Sequence, residues 1–198
     1  MSSRRAELLE LAAKMFAERG YGQTTVRDIA DAAGILSGSL YHHFDSKESM
    51  VDEILRTFLD ELFTRYREIV EAGLGPKQTL KALVVASFEA IDTRHAAVAI
   101  YQNESKHLMG LERFSYVDDR SVEFRKLWTV LLEEGMSAGV FRADLDVDVA
   151  YRFIRDTVWV AVRWYRPDGG MGADEVADQY LAILLDGIAT GRRKNSKT

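Results

Sequence analysis

The run from Thr24 to Phe44, TTVRDIADAAGILSGSLYHHF, constrains this chain most, because it reads as two short helices joined by a glycine turn. Val26, Ile29, Ala30 and Ala33 recur at helical spacing, and Gly34 follows where a sharp turn needs backbone freedom. Leu40 and Phe44, four residues apart, anchor the second helix. Ser37, Gly38, Ser39, Tyr41 and His42 face outward or flank, and no acid occurs between Leu36 and Phe44. Such a surface suits a major groove: small residues let the backbone approach, while hydroxyls and an imidazole donate to base edges and phosphates. The pattern is a helix-turn-helix whose partner is double-stranded DNA. Thr25 and His43 complete the set expected to touch it.

Asp45-Ser46-Lys47-Glu48 opens a further helix, with Asp45 and Glu48 at capping-box spacing. Lys47 opposes the dipole of that helix, which makes sense if a phosphate docks beside its free N–H groups. The alternative is a solvated lysine. Directly after a helix-turn-helix, the phosphate is the favoured reading.

On these residues the chain resembles the tetracycline-repressor (TetR) family of bacterial transcriptional regulators. The resemblance rests on Ala13, Phe16 and Gly20, the run Thr24 to Ala30, Ala33-Gly34, Leu40 to Phe44, and Ser46-Lys47-Glu48. Many members carry serine then lysine where this chain has Leu36 and Ser37, so a cap and a basic groove contact are missing here. Helical periodicity together with the resemblance implies an all-α chain. A three-helix DNA-binding domain over residues 1–48 stands on a larger helical ligand-binding and dimerisation domain over 49–198. A homodimer on a palindromic operator follows, since two recognition helices must enter major-groove faces about 34 to 36 Å apart or a multiple of that.

The net charge of −5 is awkward for a DNA binder, and even residues 1–50 carry six bases against seven acids. Placement matters more, because the acids lie outside the recognition helix. Arg4-Arg5 occupies an unfavourable helix N-terminus that a phosphate would relieve, or else forms a solvated arm. There is no cysteine, hence no disulfide or thiolate site. The start leads into an amphipathic helix and no apolar run approaches transmembrane length, so a soluble, cytoplasmic protein with no membrane partner is expected.

Periodicity predicts helices over Arg4–Glu18, from Met50 past Ile69, over Lys77–Ile91, Ala96–Leu108, Asp118–Ala138, Asp146–Arg166 and Ala173–Ile188. Gly73-Leu74-Gly75-Pro76 and Pro167-Asp168-Gly169-Gly170 break the pattern. Arg192, Arg193, Lys194 and Lys197 form a basic tail, read as a solvated terminus.

The segment Asp146 to Arg166 is both aromatic and basic. Arg155, Trp159 and Arg163 share a helical face, so guanidinium groups flank an indole. Such a set suits a phosphorylated, adenine-bearing ligand; a subunit interface, also rich in Trp, Tyr and Arg, is the competing reading. This run, with Ile35 to Phe44 and Phe114-Ser115-Tyr116, resembles the KstR-type repressors of bacterial sterol (cholesterol) ring catabolism, the second type above all. The resemblance implies a CoA thioester as effector, no resident cofactor or metal, and ligand contacts at Arg155 and Trp159 with Arg163 as a weaker addition. A bulky acyl group would need a cavity; Tyr116 and Trp128, with Met109, Phe114 and Phe124, are candidate walls. The alternatives are a TetR-like sensor of a free hydrophobic molecule and a helical carboxylate-metal enzyme. The second has one Glu-x-x-His unit, Glu104 and His107, and no second copy.

Overall fold

The structure, a computed structural model, describes residues 4–108 and 110–188. Met109 and the basic tail from Arg192 to Lys197 lie outside the described residues. Helices dominate, and no β-strand forms among the described residues: α1 (Arg4–Arg19), α2 (Val26–Ala32), α3 (Ser37–Leu40), α4 (Lys47–Glu71), α5 (Pro76–Thr93), α6 (His95–Leu108), α7 (Ser115–Ser137), α8 (Val147–Trp159) and α9 (Ala173–Ile188). Single 3-10 turns precede α7 and follow α8, at Glu112–Phe114 and Val160–Arg163. None of the helices is long and apolar enough to cross a membrane among the described residues.

Packing groups the chain into two compact units, and the division falls inside α4 and α7. The first comprises the residues up to Phe63 together with Thr93–Arg120, and the second Thr64–Asp92 together with the residues from Ser121 on. The boundary expected after residue 48 falls within the first turn of α4, which begins at Lys47. Packing instead adds the first four turns of α4, the whole of α6, the 3-10 turn after it and the start of α7 to the helix-turn-helix.

In the first unit, α1 buries Leu8, Ala12, Ala13, Met15 and Phe16, a stripe at helical spacing. Thr25 caps α2 through a reciprocal capping box with Asp28, and Gly34 makes the turn at φ +68, a conformation glycine adopts without strain. The start of α4 differs from the sequence expectation. Ser46 and Ser49 cap it reciprocally, each backbone N–H donating to the other's hydroxyl at 3.2 and 3.0 Å, where Asp45 and Glu48 were expected. Serine at both positions gives the same closure one residue later.

The second unit is built on a cluster of rings. Tyr66 lies 5.1 Å from Phe124 and 6.1 Å from Trp128, and Phe124 lies 6.1 Å from Trp159, all centroid to centroid. The fully buried Tyr66 hydroxyl donates to Ser87 Oγ at 2.5 Å, and Ser87 passes its own hydrogen to Leu83 O at 2.6 Å. Burial raises the Tyr66 phenol well above its ordinary value. The helix expected from Asp146 to Arg166 stops as an α-helix at Trp159 and tightens into a 3-10 turn. Pro167 keeps Arg166 out of the α region, so no α-helix could run past that point, and the 3-10 turn already begins at Val160.

Gly135 in α7 has its missing side chain filled by a neighbour: a Cβ there would meet the buried Phe141 ring at 2.1 Å. Glycine to alanine inside a helix ordinarily stabilises by about 0.5 to 1 kcal/mol. Here the overlap reverses the sign, and Gly135→Ala is expected to lower stability by about 1 to 3 kcal/mol through overpacking. Denaturant melts of the two proteins check it; a gain in stability would mean the ring moves aside freely.

Candidate nucleic-acid interface

A four-residue recognition helix has too few internal hydrogen bonds to hold itself. Leu40 and Phe44 bury beneath it, and two arginines fix its surroundings. Arg5 grips Glu53 of α4 with both terminal nitrogens at 2.5 and 2.6 Å, and its guanidinium lies 4.6 Å from the Phe44 ring centroid. Its Nε donates to the His43 carbonyl at 3.3 Å, at the end of the recognition segment. Arg4 donates to the Ala33 carbonyl at 2.9 Å, just past α2, and pairs with Glu7. Both cations therefore sit where helices present unpaired carbonyls. The pair is therefore not a solvated arm: both side chains, about half exposed, are bonded within the head.

Tyr21 makes a second tie. Its N–H donates to Glu104 Oε1 of α6 at 3.1 Å, and its carbonyl accepts from Lys47 Nζ at 2.7 Å. The ammonium also lies 4.1 Å from the Tyr21 ring centroid. Burial pulls the Lys47 pKa below its ordinary value, and the Glu104 charge partly offsets that. Lys47, expected to meet a phosphate, is thus already bound to backbone and ring. Glu104 and His107 are engaged in the same place, the His107 ring 6.4 Å from that of Tyr21. Among the described residues no group of three or more His, Asp or Glu side chains gathers into a metal site.

The other expected DNA contacts divide by exposure. Tyr41 is 55% exposed, His42 and Gly38 are open to solvent, and Ser37, Ser39 and His43 are half-buried. Thr25 is exposed, but its hydroxyl donates to Asp28 Oδ2 at 2.6 Å and accepts from the Asp28 N–H at 3.1 Å. Those bonds hold the Asp28 carboxyl below its usual range. Arg27, not singled out in the sequence, extends into solvent beside them, 3.8 Å from Asp31. The exposed Leu36 makes no side-chain cap to α3.

The expected ligand residues separate. Trp159 is 5% exposed and faces the ring cluster, so the surface indole flanked by guanidinium groups is not formed. Arg155 stands at the rim, paired with Asp156 at 2.7 Å and 5.5 Å from the Tyr151 ring centroid. The 3-10 pitch swings Arg163 roughly a quarter-turn off the row, since three residues per turn replace 3.6. Trp128 joins the same cluster as Trp159 through Tyr66 and Phe124. Tyr116 belongs to the first unit, where its hydroxyl donates to Asp52 O at 3.4 Å and Arg56 covers its ring at 3.8 Å. Burial and the Asp52 charge raise its phenol pKa. A groove of about 530 Å³ in the second unit is lined by Arg125, Lys126, Thr129, Glu133, Asp146 and Asp148 among others, away from Arg155 and Trp159.

Residues 8–54 match the family described as bacterial regulatory proteins, tetR family, and residues 73–188 the tetracyclin repressor-like, C-terminal domain. The chain is 66% identical over 189 residues to the HTH-type transcriptional repressor KstR2 of Rhodococcus jostii (strain RHA1), covering 96% of this chain and 93% of that protein. It is 62% identical over 188 residues to the repressor of the same name from Mycobacterium tuberculosis (strain ATCC 25618 / H37Rv), covering 95% and 94%. The solved structure of the ketosteroid transcriptional regulator KstR2 of Mycobacterium tuberculosis matches with a TM-score of 0.94 at 61% identity, over 96% of this chain and 97% of that one.

Buried and exposed rings in these two regions should respond differently to truncation. Phe44→Ala and Trp159→Ala are each expected to cost about 3 to 5 kcal/mol of stability. Tyr41→Ala and Arg155→Met should stay within about 0.5 kcal/mol of wild type. Chemical denaturation of the four variants reads the difference, and a tolerated Trp159→Ala would return the indole to the surface.

Proposed function

We propose, from the premise that this chain belongs to the TetR family of bacterial regulatory proteins, that it represses catabolic genes of sterol ring degradation and is released from a palindromic operator by a CoA thioester. The family makes it a DNA-binding transcriptional repressor and not an enzyme. The observation that carries the reading is the outer surface of α3, where Ser37, Gly38, Ser39, Tyr41 and His42 bear no acid while the cations behind them hold the helix. His43, Thr25 and Lys47 flank that surface. Lys47 offers its backbone N–H at the start of α4 more readily than its engaged side chain, Thr25 gives both its N–H and its hydroxyl to Asp28, and Arg27 adds an exposed cation loosely paired with Asp31.

The protein acts in the cytoplasm as a homodimer. Phe153 and Val149 of α8 and Ile183 of α9 are exposed apolar side chains on the second unit, and a second copy is the occupant we assign to them. Sterol catabolism as the regulated process is supported by the 66% identity to a KstR2 repressor. A CoA thioester is supported by the chemistry at the rim of the ring cluster. Arg155 would exchange Asp156 for a phosphate, the apolar acyl part would open the packing around Trp159 and Trp128, and Arg163 is the outlying cation. Tyr116 is engaged within the first unit by Asp52 and Arg56. No cofactor is invoked.

Three measurements test the reading. The protein should prefer an inverted repeat to random duplex by 10³-fold or more, with affinity falling steeply as salt rises. Equal affinity for both would overturn it. A CoA thioester of a ring-opened sterol acid should dissolve the preformed complex where the free acid does not, and Arg155→Met should raise the concentration needed about tenfold or more while leaving DNA affinity unchanged. Release by the free acid alone would favour the sensor of a free hydrophobic molecule. Ile183→Asp should shift sedimentation from dimer to monomer and weaken operator binding with it; an unchanged dimer would move the subunit contact elsewhere.

A further inference from the structure

Among the described residues up to Phe63, the large hydrophobic side chains left exposed are Leu36 and Tyr41, and both belong to the recognition segment. Tyrosine carries a polar tip there, but Leu36 is 81% exposed and wholly apolar. An isolated surface leucine is ordinary in most places. Its position makes this one informative: Leu36 is the residue that caps α3, at φ −72 and ψ 143, and it gives the helix no side-chain hydrogen bond. A serine or aspartate there would satisfy a free N–H, so leucine forgoes a favourable contact and exposes apolar surface besides. The residues that follow, Ser37, Gly38 and Ser39, are small, and a Cβ built at Gly38 meets nothing within 4 Å. Leu36 therefore projects from a low, polar surface at the end of the recognition helix that enters the major groove. The apolar feature a major groove offers is the C5 methyl of thymine.

We propose that Leu36 is a specificity-determining residue that reads a thymine methyl in each half-site of the operator. This rests on the operator-binding reading above. Removal of the leucine side chain abolishes one base preference and leaves the phosphate contacts intact, because those come from N–H groups and hydroxyls elsewhere on the head.

The probe is a duplex that the wild-type protein recovers from a random-sequence pool, in which each thymine is replaced in turn by deoxyuridine. Deoxyuridine pairs identically and lacks the methyl. One thymine per half-site should matter: its replacement weakens wild type about fourfold, and replacement in both half-sites about tenfold or more, the worth of one or two buried methyl groups. Leu36→Ala and Leu36→Ser should bind the thymine and uracil duplexes equally. Leu36→Ser also restores a helix cap, so its melting temperature should equal or exceed that of wild type, which separates reading from folding. The proposal is overturned if either variant keeps the thymine preference, or if wild type prefers thymine at no position. Failure of the operator reading looks different: the wild-type protein then recovers no sequence from the pool, and the proposal falls with it.

Discussion

A helix of four residues depends on its neighbours for its existence, and α3, the second helix of the helix-turn-helix, is such a helix. Everything around α3 can be read as support for it. Leu40 and Phe44 remove apolar surface from water beneath it, Arg5 neutralises the carbonyl end at His43, and Arg4 does the same for α2 at Ala33. Because Arg5 also grips Glu53, the recognition segment is tied to the long α4 as well as to α1. The tie is charge-assisted and two-pronged, so it fixes orientation as well as distance.

Tyr21 extends the same logic to α6. One peptide unit of the α1–α2 connection gives its N–H to Glu104, and the next peptide's carbonyl, from the same residue, accepts from Lys47. A shift of α6 along its axis would strip Glu104 from the Tyr21 N–H and unbalance Lys47, whose buried charge the Glu104 carboxylate favours. The arrangement gives α6 a direct mechanical and electrostatic grip on the residue beside the first DNA-facing helix. Within this unit, a change in α6 has a short route to the head, through bonds of known partners.

Helix spans were largely legible because apolar periodicity is a property of neighbours in sequence, and α9 in particular starts where periodicity predicts. Pairings over long separations were not. Nothing local in Arg4-Arg5 points to carbonyls 29 and 38 residues away, so the pair read as a phosphate contact or a solvated arm. Ser46 and Ser49 were obscured by Asp45 and Glu48 at the same spacing one residue earlier, where two equally good caps compete and only geometry decides. Trp159 shows the reverse error. Placing Arg155, Trp159 and Arg163 on one face assumed an unbroken α-helix and treated a row as uniformly exposed. A row at the edge of an amphipathic helix has one side in the core, and the large indole took that side. The Tyr66–Ser87 pair carried a signal that went unread: a serine within Val84-Val85-Ala86-Ser87-Phe88 is a polar group in an apolar stripe, which needs a buried partner.

The net charge of −5 then loses its force against DNA binding. In the first unit the acids are answered close at hand: Glu7 by Arg4, Glu53 by Arg5, Asp28 by the Thr25 N–H and hydroxyl, Glu48 and Asp52 by Arg113 and Arg56, and Glu104 by the Tyr21 N–H. The arginine–carboxylate pairs among these are nearly neutral when viewed from a phosphate several ångströms away, whereas Asp28 and Glu104 keep their charge, which salt screens. The α3 surface contributes no acid to oppose, so the field met by an approaching duplex is set by exposed hydroxyls, imidazole, backbone N–H groups and Arg27. A summed charge counts the staples and the reading surface alike. Binding depends on the surface alone; a paired carboxylate and cation cancel in the total, so the net charge says nothing of how either is placed.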